Sequence, residues 1–497
     1  MSTSDAESGT RPIYKVYKRR FWGLAQLVLL NIVVSWDACA EAGFITDKDL
    51  MLTLIVVDLL VHLDHRGGVL QCLGKRYQLD EHWLPLCLLR RQSVSDSHAS
   101  SKTHNNTLSL VIWILNKGGP KPAIVITASL LLVGNWLRYA GTRANGGIFG
   151  LAMFGQILIG FAQPFCLCAP TRYSDLWFSD RGRTSATAVA SLANPLGAAL
   201  GQLVDSEWAT KPSDIPNMVL YISIISSVAA IPSFFLPASP PTPPSASSAI
   251  PHTPLGIATY QLITTWEFWQ ILIPFSVYVG FFNSVSSLLN QILSPYNFDE
   301  TEAGIAGAIL IVVGLVTAAI MSPITDRYKH YLGSIRVLVP IVAVTYIGLI
   351  FAPSSPAGIP PSYVVMALLG ASSFALLPIV LEYLAEITYP FSPEIGSTIC
   401  WTGGQLLGAC FILIQDALKA GDDAKPPSNM RNSLIFAAVV AVVAAPFPLT
   451  IGLFGRVVER RRLEVDRGVE LQEPVSVLDD RVKKVPSDGD TETLIKG

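Results

Sequence analysis

The sequence has few charged residues. Only 14% of its 497 residues are Asp, Glu, Lys or Arg, and its mean hydropathy is +0.45. A soluble protein usually carries about 25% charged residues, so this shortage excludes an ordinary water-soluble domain and indicates a membrane protein. The net charge of −2 gives no reason to expect a nucleic acid as a partner.

Cysteine pairs and the common catalytic motifs are missing as well. The seven cysteines show no CxxC spacing, which argues against a zinc site or a disulfide framework. The sequence contains no GxSxG, HExxH or GxxxxGK(S/T) motif, so we expect neither an enzyme nor a cofactor. Without a Walker site, any transport must be passive or coupled to an ion.

Long apolar runs dominate the chain instead. A membrane helix needs about 20 mostly apolar residues, because the hydrocarbon core is about 30 Å thick. Eleven runs approach that length: 21–36, 123–139, 149–168, 184–204, 218–236, 266–289, 303–321, 337–351, 363–387, 395–417 and 434–454. Buried helices of a soluble enzyme do not explain so many runs, which therefore predict an all-α membrane protein.

Basic residues near the ends of these runs predict the orientation and one further span. They are Arg11, Lys15, Lys18, Arg19, Arg20, Lys117, Lys121, Arg172, Arg181, Arg183, Arg327, Lys329, Arg336, Arg456 and 460–462. Cytosolic loops carry an excess of Lys and Arg, and twelve spans would place all of these residues on the cytosolic side. We therefore expect a twelfth span between Trp36 and Ala123.

A Pro- and Ser-rich segment from Leu236 to Gly256 separates two groups of runs. Six spans on each side of a flexible linker are typical of a transporter that holds its substrate between two helix bundles. The predicted divisions are a cytosolic N-terminal segment (1–20), a first bundle (21–236), a cytosolic Pro/Ser linker (237–265), a second bundle (266–455) and a disordered cytosolic tail (456–497). Regular structure is not expected in the Pro/Ser stretch 236–256.

Four stretches resemble a known family. They are "APTRYSDLWFSDRGRTSATAVASLANPLGAALG" (169–201), "GFFNSVSSLLNQIL" (280–293), "LEYLAEITYP" (381–390) and "GGQLLGA" (403–409). Together they resemble the feline leukaemia virus subgroup C receptor-related family of the major facilitator superfamily. The resemblance implies the major facilitator fold and a small organic substrate of the choline, ethanolamine, pyridoxine or haem class. The loop "NKGGPKP" argues against a sugar porter, and Pro195, which replaces a glutamine of some relatives, disfavours choline itself.

Residues 38–107 do not fit this resemblance. They are polar and hold five of the seven histidines: His62, His65, His82, His98 and His104. We interpret the segment as foreign to the fold, for example as the product of altered splicing. A genuine outside loop is the second interpretation, and a metal site built on His62 and His65 is the third, although converging ligands are lacking.

Polar and aromatic residues inside the spans are candidates for the substrate site, because lone polar groups avoid lipid. They are Trp36, Gln156, Asn194, Tyr278, Phe282, Asn283, Trp401 and Gln405. The resemblance places the positions of Asn283, Trp401 and Gln405 near the central cavity, and Trp36 on its opposite wall. Amides and aromatic rings suit a small polar or quaternary-ammonium solute. The alternative is helix packing, which we favour for small residues such as Gly280 and Gly408.

Charged residues near the run ends are candidates for coupling and gating. Glu382 and Glu386 lie four residues apart and either bind a coupling proton or form a salt bridge that latches the two halves. Asp326 and Arg327, with Lys329, follow the eighth span, where the carboxylate is expected to pair with an arginine or a helix N-terminus in one conformation only. Asp37 lies at a span end and is expected to be solvated.

The predicted function is therefore secondary transport of a small organic solute by alternating access. The alternative is a non-transporting receptor or scaffold, or an inactive splice product. We expect a monomer in the lipid bilayer, in the plasma membrane or in a vacuolar or lysosomal membrane. The tail segment "DTETLI" fits an acidic dileucine pattern, which mildly favours the second destination.

Overall fold

The computed structural model describes residues 14–39, 108–144, 147–209, 211–250, 253–421, 423–452 and 461–466. Residues 40–107 are not among them. The interpretations of the polar segment, including the metal site at His62 and His65, therefore lie outside the described residues. So does the dileucine pattern of the tail.

The first half of the molecule, residues 14–235, contains six helices among the described residues. They are α1 (Arg20–Cys39), α2 (Leu108–Gly118), α3 (Pro120–Arg143), α4 (Phe149–Trp177), α5 (Arg183–Trp208) and α6 (Ile215–Ala230). A 3₁₀ turn, Ile231–Phe235, prolongs α6. In α1, residues Leu27, Leu30 and Val34 are fully buried, and their spacing puts them on one helix face.

The linker and the second half follow. The linker contains α7 (Ala246–Ala249) and α8 (Leu255–Thr264). The second half contains α9 (Trp266–Leu293), α10 (Glu300–Tyr328), α11 (Tyr331–Phe351), α12 (Pro360–Ile387), α13 (Pro393–Ala417), α14 (Arg431–Ala444) and the short α15 (Pro446–Leu449). A last helix, α16 (Arg461–Asp466), belongs to the tail.

The helical membrane architecture confirms the predicted fold class. Within the described ranges, ten helices are long and apolar enough to cross a membrane, and they correspond to ten of the eleven predicted runs. The remaining run lies in α1, which packs along α4 and α5. Backbone groups in lipid must bond within their own segment, and a helix satisfies that requirement.

The expected twelfth span is only partly described. Helix α2 has 11 residues, and at about 1.5 Å per residue it is about half as long as a bilayer core requires. It leads directly into α3 through Gly119, whose φ of 72° favours glycine. The position of α2 agrees with the end of a second span, but whether a full span precedes it stays a prediction.

Two segments differ from the sequence-based divisions. The Pro/Ser stretch 236–256 is not wholly irregular, because it contains the short helix α7. The tail is not wholly disordered, because α16 is a helix whose Arg462 and Leu463 are buried. Burial against the two halves supplies the apolar and ionic contacts that a charged tail lacks by itself.

One end of the bundle carries the basic loops and is called the basic end here. At this end α3, α5, α11 and α13 begin, and α4, α10 and α12 end. The described hydrogen bonds that join the two halves directly lie at this end, among them one of 2.8 Å between the hydroxyls of Thr171 and Ser397. The two halves are therefore closed against each other at the basic end.

Candidate functional site

A hydrogen-bonded amide pair joins α9 and α13 inside the second half. The Nδ2 atom of Asn283 donates to Oε1 of Gln405 over 2.8 Å, and both side chains remain partly exposed. Gly280 and Gly408 make this possible, since a Cβ atom added at Gly280 would lie 3.0 Å from the backbone nitrogen of Gly408. The close approach confirms the packing role predicted for these two glycines.

Some of the predicted aromatic residues lie near this amide pair, but not all of them do. Phe282 directly precedes Asn283 and packs against the ring of Phe374, with centroids 5.2 Å apart. Trp401 lies one turn before Gln405, and its Nε1 has no hydrogen-bond partner among the described residues. Tyr278 is not brought to this group, because its hydroxyl donates to the carbonyl of Ala441 in α14 over 3.0 Å.

The predicted residues of the first half are placed differently. The Nε1 atom of Trp36 donates to Oδ1 of Asp205 over 2.9 Å, at the end of α5. Gln156 accepts a hydrogen bond of 2.8 Å from Arg138. Asn194 is partly exposed on α5, and its Nδ2 lacks a partner in the described part of the chain. Trp36 thus binds a carboxylate, and Gln156 belongs to a charged network around Arg138, so neither stands alone as a cavity group.

Asp37 belongs to that network, and the expectation that it is solvated was wrong. Its side chain is fully buried and accepts hydrogen bonds from Asn135 over 2.6 Å and from Ser226 over 3.1 Å. Arg138, also fully buried, lies 3.8 Å from Asp37 Oδ1 and donates to the backbone carbonyl of the same residue over 3.0 Å. The position that hydropathy marks as the end of a span therefore lies in the protein interior, because α1, α3 and α6 enclose it.

At the basic end, Asp326 caps a helix of the other half. Its carboxylate accepts the backbone N–H groups of Thr184 over 3.0 Å and of Ser185 over 2.8 Å, at the first turn of α5. Those N–H groups have no partner within their own helix, and the N-terminal end of the helix dipole favours an anion. Asp326 itself lies in the last turn of α10 and not in a loop.

Arg327 is not brought to this contact. It is exposed and lies over the ring of Tyr328 at 5.8 Å. The cation beside Asp326 is Lys329, at 3.6 Å, which also donates to the backbone carbonyl of Asp180 in the first half. The gating role of Asp326 and Arg327 stays a prediction, but only Asp326 has the geometry for it.

Glu382 and Glu386 face the tail. Glu382 accepts a hydrogen bond of 3.2 Å from Arg462, and Glu386 accepts the backbone N–H of Leu463 over 2.9 Å. Arg462 also pairs with Asp175 of α4, and Asp175 lies 3.2 Å from Arg172. These contacts have the geometry expected of a salt bridge that latches the two halves. Proton coupling through the two glutamates stays a prediction.

The other end of α16 is held by a second arginine. Asp466 pairs with Arg183 at 2.9 Å and accepts the backbone N–H of Ser247 over 2.8 Å. Burial alone would raise the pKa of Asp466, but Arg183 and Ser247 outweigh burial and lower that pKa. The pKa of Arg462 is raised, since Asp175 and the two glutamates outweigh the opposing effect of burial. Both groups are therefore charged at neutral pH.

Comparison with known proteins identifies the family. The sequence pattern of the Major Facilitator Superfamily matches residues 108–414, more than half of the chain. The chain therefore belongs to the Major Facilitator Superfamily, a superfamily of multi-pass membrane transporters. Solute carrier family 49 member A3 of Danio rerio is 27% identical over 421 residues, which are 83% of this chain and 81% of that protein.

Further relatives agree with the assignment to this superfamily. The choline/ethanolamine transporter FLVCR1 of Felis catus is 27% identical over 409 residues, 77% of this chain and 69% of that protein. A crystal structure of the transporter FucP in the outward conformation has a TM-score of 0.56 at 12% identity. That likeness spans 87% of this chain and 99% of FucP, and it shows the fold alone. The relatives confirm the resemblance to the feline leukaemia virus subgroup C receptor-related family, and they are transporters, not enzymes.

Sequence reasoning missed several residues that matter at the site. Asp175 and Arg462 are 287 positions apart, and no local pattern connects them. Asp175 does fall in the quoted stretch 169–201, and its position on the long helix α4 next to Arg172 was an available signal. Arg462 was counted only for its charge.

Proposed function

We propose that the chain is a secondary transporter that moves a small organic solute of the choline or ethanolamine class by alternating access. The Asn283–Gln405 pair carries the proposal. It is a partly exposed amide pair on two helices of the second half, with Phe282 and Trp401 nearby. Asn283 Oδ1 and Gln405 Nε2 take no part in their shared bond, so they are the atoms available to a polar solute.

The chemistry of this group suits a small cation or alcohol. Amide oxygens accept hydrogen bonds from a hydroxyl or an ammonium group, and aromatic faces attract a quaternary ammonium through cation–π contact. The hydrogen bond described for the pair joins two neutral amides, so a solute at this position would bind through neutral groups. Relatives named as choline/ethanolamine transporters support the solute class, while Pro195 leads us to expect ethanolamine-like solutes before choline.

Alternating access further requires that the closed basic end opens. We propose that the contacts of Asp326 and of the two glutamates break in that step. Coupling to a proton through Glu382 would first require that its hydrogen bond with Arg462 breaks.

The test is uptake of radiolabelled choline, ethanolamine and pyridoxine into proteoliposomes. The variants Asn283→Ala and Gln405→Ala should each lower uptake at least about tenfold, the loss expected when a hydrogen-bond partner of the solute disappears. Gln261→Ala is the matched control, since it removes an amide from α8, outside this helix pair. Equal uptake by all three variants would refute the site, and no uptake of any solute by a well-expressed protein would favour the receptor alternative.

A further inference from the structure

The basic end contains a cluster of buried carboxylates that lie on both halves. Asp175 belongs to α4 of the first half, while Glu382 and Glu386 belong to α12 of the second half. Their side chains are at most 6% exposed. Buried carboxylates need a cation or several hydrogen-bond donors, because water is excluded from them.

A guanidinium from the tail occupies this cluster. Arg462 is 2% exposed, and its Nη1 and Nη2 atoms bind Glu382 and Asp175. One planar side chain thus bridges the two halves. The two acceptors approach different nitrogens of the same group, which a guanidinium permits and a single ammonium does not.

We propose that Asp175, Glu382 and Glu386 form a guanidinium-binding site between the halves, and that Arg462 of the chain's own tail is the ligand that keeps the basic end closed. The remainder of α16 fixes this ligand in place. The N–H of Leu463 binds Glu386, and Asp466 binds Arg183 and the linker residue Ser247. Six residues of tail therefore contact the first half, the second half and the linker.

Removal of the guanidinium turns attraction into repulsion. Asp175 of the first half and Glu382 of the second half then face the same vacated position, and like charges repel each other. Without Arg462, Glu382 loses its hydrogen-bonded cation, and water must enter to solvate it. Separation of the halves at the basic end admits that water. Loss of the Arg462 guanidinium therefore favours opening of the basic end. In a transport cycle, which is the one point that depends on the proposed function, α16 would have to leave before the basic end opens.

Two native cysteines report the state of this interface. Cys168 of α4 is buried beside Thr398 of α13, and Cys400 of α13 is also buried. Cys166 is buried within the first half, where its carbonyl accepts a hydrogen bond from Asn31 of α1. Opening of the basic end exposes Cys168 and Cys400 but leaves Cys166 covered, whereas unfolding exposes all three.

The experiment measures N-ethylmaleimide alkylation of each cysteine by mass spectrometry, with the full chain in lipid nanodiscs. In Arg462→Ala, we expect Cys168 and Cys400 to react about tenfold faster than in the wild type, with Cys166 unchanged. Arg462→Lys should give an intermediate rate, about threefold faster. Arg19→Ala is the matched control, because it removes an exposed guanidinium from the same end and should change nothing.

Chemical rescue tests the guanidinium site itself. Millimolar methylguanidinium should slow the alkylation of Cys168 and Cys400 in Arg462→Ala towards the wild-type rate, while equal methylammonium should not. Unchanged alkylation in Arg462→Ala would overturn the proposal. Faster alkylation that includes Cys166, or that methylguanidinium does not reverse, would also overturn it. The readout needs no transported solute, so absence of uptake leaves this test intact.

Discussion

A buried arginine lies at each end of the molecule, Arg138 in the first half and Arg462 in the tail, and the two arginines differ in what they join. Arg138 is fully buried and binds Asp37 and Gln156, which lie on α1 and α4 of its own half. Arg462 is as deeply buried, but it binds Asp175 and Glu382, which lie on different halves. Similar chemistry therefore stabilises one bundle in the first case and holds two bundles together in the second.

This difference separates stability from conformational preference. A charge pair inside one rigid bundle stays formed whether the halves are open or closed. A charge pair between bundles contributes only to the closed state. Variants at the first kind of pair should lower the stability of the fold, and variants at the second kind should change how often the basic end opens.

The largest effect is expected at Arg138. Arg138→Ala leaves Asp37 buried without its cation, which typically lowers the free energy of unfolding by about 3–5 kcal/mol. Thermal unfolding in detergent measures this loss. The double variant Asp37→Asn with Arg138→Gln removes both charges at similar volume and should recover most of it. A melting temperature of Arg138→Ala equal to that of the wild type would contradict the account.

A smaller effect is expected at Asp326. Loss of a helix cap costs about 1 kcal/mol, so Asp326→Ala should increase the alkylation rate of Cys168 and Cys400 about fivefold. Asp299→Ala is the matched control. Asp299 caps its own helix, α10, by accepting the N–H of Glu302 over 2.7 Å. Asp299→Ala also removes a helix cap but should leave the alkylation rate unchanged. Equal acceleration in both variants would show that the position of Asp326 between the halves is irrelevant.

The smallest effect is expected at Arg327. Its side chain is exposed and contacts only Tyr328 among the described partners, so Arg327→Ala should change stability by no more than about 0.5 kcal/mol. Uptake and cysteine alkylation should both stay within about twofold of the wild type. A large loss of uptake would restore the gating role that the sequence suggested for this residue and would show that it binds elsewhere in another conformation.

The helices extend beyond the apolar runs, and this explains part of what sequence reasoning placed differently. The run 303–321 predicts the lipid-buried part of α10, but the helix begins at Glu300 and ends at Tyr328. Hydropathy detects only the residues that lie in hydrocarbon. The charged last turn, with Asp326, therefore lies beyond the apolar run although it is helical and buried against α5.

The residues of the candidate site were likewise only partly predictable from the sequence. Asn283 and Gln405 could be selected from polarity, spacing and resemblance, and the structure brings them within 2.8 Å. Tyr278 lies on α9 together with Asn283, but it faces α14. The five positions between the two residues correspond to a rotation of more than a third of a circle around the helix axis. Asp37 and Arg138 lie at the ends of two separate apolar runs, 21–36 and 123–139, and only the packing of α1 against α3 makes them one network.

The sequence by itself determined that this protein is helical, lies in a membrane and has a basic end. The physical reason is that lipid offers no hydrogen-bond partners to the backbone, so apolar length and the distribution of Lys and Arg leave one architecture. The tertiary structure alone decided which buried charges meet. Arg462 reaches Glu382 across 80 residues and Asp175 across 287, and such contacts depend on how distant helices pack and not on any local pattern.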